Sequence, residues 1–568
     1  MPSKPEQLAY ELRIGVTGHS KLTEEHAVAE AVNSLLTYPE NLMNNQDNVP
    51  IEWTVISPLA KGADRIVAKS ILKKESARLE VLTPFSLGEY RKNFTDPKDL
   101  QEFNQLLESA SLHVEMPPSS EGYLPVGKKV VDACEILIAI WDGNPSQGKG
   151  GTAEIVSYAL ERGRIVLRID TGNPNAQATL LRAKKNKVEQ KSTPDYQEFQ
   201  LASETSILTI NYRQFAEFSR DHHFVKFCHD LYHPNKKQDI LTEKRRQEIR
   251  ELAQMTSLPC VQLEPILKYL IPAYVHSDKV ASHNQNCHVR VSKLIHIFSA
   301  VAVSVVVSQL IFFEHQTKII FLEIGSMAAV LAALYISRRF SWHEKWINYR
   351  FLAERLRTSM FTVMVQDYPL SGSSPESQPL PFYNKPKNWI DFLIAIQVKK
   401  VFSNINGTAD LDAIKTFIIY GWLKNQKNWH LRNAKIKEDT EHKLRNTVIA
   451  LFCITLAMAV FHLSGIGHER IPEGEEIFSL SKWGTFLAVT LPVWGAALHA
   501  IGKQLEYDRI AERSKKMACE LGRLEALAND SSNLYELREI VQQAVWTVNL
   551  ENYEWWALIS FNSPELVA

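Results

Sequence analysis

Three short loops in the N-terminal region carry the residues that could do chemistry. Each follows an apolar, strand-like run: GVTGHS begins at residue 15, SPLAKGADR at residue 57, and the glycine-rich GKGGTAE at residue 148. A glycine turn between a strand and a helix lets backbone N–H groups approach a phosphate closely. The sequence therefore predicts a site for a nucleotide-derived ligand. The expected binding residues are Gly15, Thr17, Gly18, His19, Ser57, Lys61, Gly62, Asp64, Arg65, Asp142, Gly150, Gly151, Thr152 and Glu154.

A strand–helix scaffold must position these loops. The expected strands are Leu12–Val16, Trp53–Ile56, Leu79–Leu82, Leu112–Glu115, Ile136–Trp141 and Ile165–Ile169, with amphipathic helical patterns between them. This alternation predicts an α/β, Rossmann-like domain whose parallel sheet is covered on both faces. The carboxyl ends of parallel strands meet at one edge, so the loops should share one crevice. In the last loop, Thr152 is the expected helix N-cap, with Glu154 near the second helical position.

Four apolar runs predict an all-α membrane region in the rest of the chain. They are Leu294–Phe313, Ile319–Ile336, Asn446–Ile466 and Trp483–Ile501. A helix needs about 20 residues to cross the hydrocarbon core, and each run is about long enough. The alternative is a set of buried helices in a large soluble protein. Four such runs in one chain favour transmembrane helices in two hairpins.

The membrane region contains a repeat, which sets the predicted domain organisation. RFLAER at residues 350–355 follows the second run and DRIAER at 508–513 follows the fourth, which indicates a tandem duplication. The predicted parts are a ligand-binding domain at 11–170, a mixed helical and loop extension at 171–270, a first two-span module at 271–366, a Pro/Ser-rich linker at 367–388 and a second module at 389–560. Lys and Arg flank the runs on the side opposite the hairpin loops, which predicts a cytosolic N-terminal domain and cytosolic termini.

Composition narrows the functional classes. The 64 basic and 64 acidic residues balance, which gives no support to nucleic-acid binding. The six cysteines are scattered without a CxxC pair, and the start of the chain lacks the pattern of a signal peptide. His229 and His233 have a spacing that can bind metal, but the favoured interpretation is a packed histidine-rich turn, so we expect no metal site.

The motifs resemble two families. GVTGH, SPLAKGADR, VVDACEILIAIWDG and GKGGTAEI, within residues 11–170, resemble the SLOG superfamily, a Rossmann-like nucleotide-binding group. The two-span hairpins with their AER helices resemble the SLATT family of bacterial conflict systems. The resemblance implies a sensor for a nucleotide-derived signal, such as an ADP-ribose or cyclic nucleotide derivative. It also implies a multi-pass protein of the bacterial inner membrane that forms a pore or disrupts the bilayer, in anti-phage defence.

Two other functions stay open at this point. Hydrolase relatives carry a PGGxGTxxE pattern, in which the acid follows the threonine by three positions, whereas Glu154 follows Thr152 by two. A membrane-tethered N-glycosidase of a nucleotide or NAD derivative, with Glu154 as the catalytic residue, is one alternative. A nucleotide-regulated transporter or scaffold is the other. Rows of small residues in the second and fourth runs predict close helix packing, either within one subunit or in the homo-oligomer that we expect.

Overall fold

The computed structural model of the protein divides into two units. One comprises Met1–His223 and Asp367–Ile396, and the other comprises Phe224–Gln366 and Gln397–Ala568. The residues that the structure describes are 9–44, 49–117, 119, 121–145, 150–183, 196–201, 211–221, 239–313, 316–365, 389–402, 404, 410–463 and 480–559.

The first unit is built on a sheet that contains all the predicted strands. The strands are β1 Tyr10–Gly18, β2 Ile51–Ser57, β3 Ala77–Thr83, β4 Leu112–Glu115, β5 Ile136–Ile140, β6 Ile165–Ile169, β7 Thr179–Ala183 and β8 Tyr196–Gln200. Within the described residues their order is β4-β3-β2-β1-β5-β6-β7-β8. Strands β1 to β6 are parallel, and β7 and β8 are antiparallel at one edge. The α/β prediction is confirmed. The sheet continues past residue 170 through β7 and the edge strand β8. The sequence does not indicate these two strands, because both are short and partly exposed.

Helices cover both faces of this sheet. They are α1 Glu25–Asn44, α2 Ala63–Leu72, α3 Leu87–Tyr90, α4 Pro97–Glu108, α5 Leu124–Ala133 and α6 Thr152–Glu161, followed by a helix α7 at residues 211–221. Side chains of α5 and α6 such as Val130 and Val156 pack on Leu137 and Ala139 of β5. Full burial of one such aliphatic side chain contributes about 1.5–3 kcal/mol, so this layer holds the ligand-side loops on a rigid base.

Residues that follow the Pro/Ser-rich segment belong partly to this first unit. Helix α13, Trp389–Phe402, begins there. The Trp389 ring lies 5.2 Å from the ring of Phe218 and 6.2 Å from that of Phe215. Phe215 in turn contacts Tyr10 at the start of β1, at 5.4 Å. The first turns of the predicted second module therefore contribute aromatic side chains to the core of the first unit. The predicted linker, 367–388, lies outside the described residues.

The second unit is helical in its described residues. Its helices are α8 Asp239–Met255, α9 Cys260–Pro265, α10 Ile271–Phe312, α11 Ile320–Phe340, α12 Trp342–Thr362, α14 Leu411–Ile418, α15 Lys424–Leu463, α16 Leu480–Gln504, α17 Tyr507–Asp530 and α18 Leu534–Ile559. Helices α10, α11, α15 and α16 contain the predicted apolar runs except for a residue at an end of each of the first two and residues 464–466, which lie outside the described residues. Among the described residues, four helical segments are long and apolar enough to cross a membrane.

A structural repeat relates the two halves of this unit. Each half has a π-helical turn, Ile266–Leu270 or Ile419–Leu423, followed by a helix of about 40 residues. The next helix of each half ends at a residue with left-handed backbone, Ser341 or Glu506, where the chain turns into α12 or α17. These breaks shift the AER motifs out of register, because Ala353 lies twelve residues past Ser341 and Ala511 only five past Glu506. The two halves share one order of elements, but the AER motifs lie about two helical turns apart within it.

Pairwise contacts link the four apolar helices in the order α11, α10, α16 and α15. Helix α10 packs against both α11 and α16, and α15 packs against α16. The inner seam is partly polar: His296 Nε2 lies 2.8 Å from Gln504 Oε1, and Trp494 Nε1 donates to Ser304 Oγ at 3.2 Å. Within the described residues, the outer helices α11 and α15 make no extensive contact with each other.

Candidate functional site at the switch point of the sheet

The first and third predicted loops meet where the strand order reverses. Strand β1 has β2 on one side and β5 on the other, so its carboxyl end borders the crevice that ligands occupy in open α/β sheets. His19 follows β1, and its N–H donates to the Ile140 carbonyl at 3.1 Å. The His19 Nε2 atom lies 3.2 Å from Asp142 Oδ1, with both side chains about one-third exposed. Two predicted site residues thus form an accessible polar pair at this crevice.

The backbone of the second loop lies directly against the backbone of the first loop. Gly62 has φ +82°, and a Cβ atom there would lie 2.7 Å from the carbonyl oxygens of His19 and Ser20. The Ala63 N–H donates to the His19 carbonyl at 3.2 Å. Gly18 permits an equally close approach, since a Cβ there would be 2.5 Å from the Ala63 side chain. The glycines of these two loops therefore let the backbones touch.

Ser57 and Asp64 hold the second loop in shape. The Leu59 N–H donates to Ser57 Oγ at 2.9 Å, and the Ala60 N–H donates to Asp64 Oδ2 at 3.2 Å. Burial raises the pKa of Asp64 to about 7, although hydrogen bonds from Ala60 and Ser57 lower it in part. Both side chains are buried and bind their own loop. We assign them a structural role in the site.

The two cations of the second loop are paired with helix α4. Lys61 Nζ lies 2.7 Å from Asp99 Oδ2, and Arg65 Nη1 lies 2.7 Å from Glu102 Oε2. Arg65 is almost fully buried and lies over the Phe94 ring at 4.8 Å. Their charges are therefore compensated within the unit. Both residues were predicted to bind the ligand, and the structure does not bring their charges to the His19–Asp142 pair.

Gly15 and Thr17 lie within β1 and not in the turn. A Cβ on Gly15 would lie 2.8 Å from both Cys134 Sγ and Val130 Cγ1, so this glycine makes room for α5. Thr17 is half-buried and pairs with Ala139 of β5 near the end of the strand. The sequence predicts Gly15 in a phosphate-binding turn because the apolar run ends at Val16, two residues before the end of β1.

The third loop begins α6 differently from the prediction. Gly151, with an extended backbone, is the N-cap, so Thr152 is the first helical residue and Glu154 the third. Glu154 Oε2 accepts a hydrogen bond from the Gly150 N–H at 2.8 Å. This arrangement is a variant of the capping box, in which a third-position glutamate binds a backbone N–H ahead of the helix. The N-cap prediction is wrong because a glycine can supply the extended cap residue and Glu154 supplies the acceptor.

Asn144 and Arg168, which the sequence reading missed, shape this loop. Asn144 donates to both Asp142 oxygens, from its backbone N–H at 3.0 Å and from Nδ2 at 2.8 Å. These bonds, with His19, lower the pKa of Asp142 against the opposing effect of burial. Arg168 Nε donates to the Trp141 carbonyl at 3.1 Å, and its other nitrogens pair with Glu198 and Asp170. A DGN turn directly after a strand indicates that Asn144 shapes the loop. No local sequence pattern indicates that Arg168 contacts it.

Replacing Arg168 with methionine should loosen the loop after β5. The Trp141 carbonyl would lose its donor, and Glu198 would lose its partner, at a cost of about 2 kcal/mol. Hydrogen exchange of peptides covering residues 141–145 in the full-length protein measures the change. Arg162→Met, on the exposed end of α6, is the control. Unchanged protection of the loop in Arg168→Met would show that Arg168 does not anchor it.

The arrangement can bind a ligand with hydroxyl and phosphate groups. His19 offers a ring nitrogen, Asp142 a carboxylate held by Asn144, and the start of α6 offers backbone N–H groups at the positive end of a helix dipole. His229 and His233, the weaker metal candidates of the sequence, lie outside the described residues.

Comparisons with known proteins bear on the membrane half of the chain. No curated protein matches the sequence. The family model described as "Protein of unknown function (DUF4231)" matches residues 273–377, a range that contains most of α10 and all of α11 and α12.

Proposed function

We propose that the protein is a membrane effector that binds a nucleotide-derived signal at the switch point of its α/β unit. The observation that carries the proposal is the His19–Asp142 pair, which joins the loops after β1 and β5 at that crevice. A ribose hydroxyl can donate to the Asp142 carboxylate, and a phosphate can accept from His19 and from the start of α6. ADP-ribose or a cyclic nucleotide derivative has both groups.

The hydrogen bond made by the Glu154 carboxylate supports binding of the ligand without its cleavage. A general base or nucleophile must reach the reacting atom within hydrogen-bond distance. The Glu154 carboxylate instead accepts the Gly150 N–H and closes the start of α6. In this role Glu154 shapes the ligand loop and performs no chemistry. Under the N-glycosidase alternative, the Glu154 carboxylate would have to release the Gly150 N–H before it could reach the ligand.

The membrane half would supply the response. Four apolar helices are long enough to cross a bilayer, and they contact one another in the order α11, α10, α16 and α15. Gly325 on the outer helix α11 has open space where a Cβ would be, which leaves a close-approach position for a second copy. We propose that ligand binding favours a homo-oligomer that opens a pore or breaches the bacterial inner membrane, in anti-phage defence. The ligand can bias this step only by its differential affinity for the two states.

Dye release from liposomes that contain the full-length protein tests this function. A panel of nucleotides, ADP-ribose and cyclic derivatives is added, and each active compound is recovered and checked for cleavage. We expect release triggered by a compound that returns intact. Release without a ligand requirement, or a compound returned as base and sugar phosphate, would contradict the proposal.

Two substitutions separate binding from catalysis in the same assay. His19→Ala should weaken the response to ligand about tenfold, because one charge-assisted or neutral hydrogen bond is lost. His26→Ala, which removes an exposed histidine of α1, is its control. Glu154→Gln keeps an oxygen that accepts the Gly150 N–H, so the response should change less than about threefold. Loss of activity in Glu154→Gln together with loss of compound turnover would favour the N-glycosidase.

A further inference from the structure

Four cations lie at one end of the first apolar hairpin, which is formed by α10 and α11. They are Arg290 and Lys293 of α10 and Arg338 and Arg339 of α11, and are called the hairpin cations below. All four are exposed, and none makes a side-chain hydrogen bond or ion pair with another described residue. Their charge is therefore available to a partner outside the chain.

The packing of α10 against α11 places the hairpin cations at one height. Ile295 of α10 shares a buried cluster with Val330 and Leu334 of α11. The short connection between the two helices makes them antiparallel. Along the helix axis, all four cations lie within about 8 Å of this cluster, on its side away from the connection. They therefore form one band of positive charge where the apolar runs end.

The exposed apolar face of α11 leads directly to Arg338. Leu331 and Tyr335 are 61% and 69% exposed, and they precede Arg338 by seven and three residues. Residues at these spacings lie on one face of a helix. In a bilayer this face would contact lipid tails, and the polar headgroups border the hydrocarbon core. The guanidinium group of Arg338 therefore lies at the level of the headgroups.

The turn after α11 adds an aromatic surface beside these cations. Ser341 has left-handed backbone, with φ +49°, and separates Phe340 from Trp342. The rings of Phe340 and Trp342 stack at 5.3 Å with an angle of 8° between their planes, and Phe340 is 51% exposed. Tryptophan favours the boundary between hydrocarbon and headgroups. The turn therefore suits the headgroup region of a bilayer.

The matching end of the second hairpin balances its charge with carboxylates. Residues 438–441, EDTE, precede the third apolar run, whereas α10 has no Asp or Glu after residue 278. In the turn after α16, Glu506 pairs with Arg509 at 2.9 Å. In the turn after α11, the exposed Glu344 pairs with none of the hairpin cations. Of the two hairpins, the first therefore has the uncompensated positive charge.

We propose that the hairpin cations and the Phe340–Trp342 stack bind the headgroup of an anionic phospholipid. Guanidinium groups donate charge-assisted hydrogen bonds to phosphate oxygens, and each basic residue near an anionic membrane surface contributes about 1 kcal/mol. The inference requires that the apolar helices cross a bilayer, but it does not depend on a ligand at the switch-point crevice. The first repeat would thus favour membrane rich in anionic lipid, and the second would be indifferent to it.

Thermal unfolding of the full-length protein in nanodiscs tests this surface. Discs of phosphatidylcholine are compared with discs that also contain phosphatidylglycerol. We expect the anionic lipid to raise the melting temperature of the wild type at low salt, and high salt to reduce this rise. The double variant Arg338→Gln/Arg339→Gln should lose about half of the rise or more, because two of the four cations are removed. Lys503→Gln/Arg509→Gln, which removes two exposed cations from the turn of the second repeat, should keep it.

Four results would overturn the inference. They are no rise in the wild type, an equal rise in Arg338→Gln/Arg339→Gln, an equal loss in both double variants, and a rise found only in discs that hold two copies. The third would show general attraction to a charged surface, and the fourth would assign the surface to a second copy. Glycerol 3-phosphate added to phosphatidylcholine discs separates the two sources of phosphate. Stabilisation by this soluble compound that needs Arg338 and Arg339 would assign a free anion instead of a lipid.

Discussion

Gly62→Ala is expected to destabilise the α/β unit by about 3 kcal/mol or more and, under the proposed function, to abolish ligand binding. The backbone of Gly62, at φ +82° and ψ −120°, lies in a region that residues with a side chain occupy at a cost of about 1–3 kcal/mol. The new Cβ would also lie 2.7 Å from two carbonyl oxygens of the first loop. Backbone atoms cannot swing aside as a side chain does, so the first loop, with His19, must move.

Thiol labelling of Cys134 measures this change in the full-length protein. Cys134 is fully buried between β1 and α5, so a reagent reaches it only when the unit opens. Peptide mass spectrometry separates its labelling from that of the other cysteines. Gly163→Ala is a matched control, because Gly163 has φ +67° but nothing within 4 Å of a Cβ, and should cost about 1 kcal/mol. Equal labelling rates in the two variants would show that the contact between the loops is unimportant.

The α/β unit is expected to lose stability as pH rises from 5 to 8. Burial raises the pKa of Asp64 from 3.8 to about 7, and that of Glu135 from 4.5 to about 7. Between the unfolded and folded pKa values the folded state binds more protons than the unfolded state, so the free energy of unfolding falls with pH. Each carboxyl should contribute about 2 kcal/mol of this loss, from 1.36 kcal/mol per pKa unit.

Hydrogen exchange of peptides from β1 and β5, corrected for the intrinsic effect of pH, measures this dependence. Glu135→Gln keeps an oxygen that accepts the Tyr10 hydroxyl, whose oxygen lies 2.5 Å from Glu135 Oε1, but does not titrate. This variant should lose about half of the pH dependence, and Asp64→Asn should lose the other half. Glu161→Gln, an exposed residue of α6, should behave like wild type. Protection that increases with pH, or a slope unchanged in both variants, would refute the assignment.

The sequence predicts the scaffold better than the details of the site. Strands such as β4 and β6 were predicted with their observed bounds, because a short apolar run between helical patterns has few other interpretations. The apolar helices follow from the length and the apolar composition of their runs. The predicted N-cap of α6, Thr152, is wrong. Both Thr152 and Gly151 are good N-cap residues, and only the contact between Glu154 and Gly150 decides between them. Arg65 was assigned to the ligand because its pairing with Glu102, 37 positions away, has no local signal.

The order of contacts among the apolar helices, α11, α10, α16 and α15, has a consequence for dosage. Under the proposed function the response is a homo-oligomer, so any conducting path needs several copies arranged around a common axis. Permeability would then rise as a power of the surface density of the protein, and isolated molecules would be harmless even when occupied by ligand. A cell could keep the protein at a low, silent density and still respond abruptly once ligand-bound copies gather.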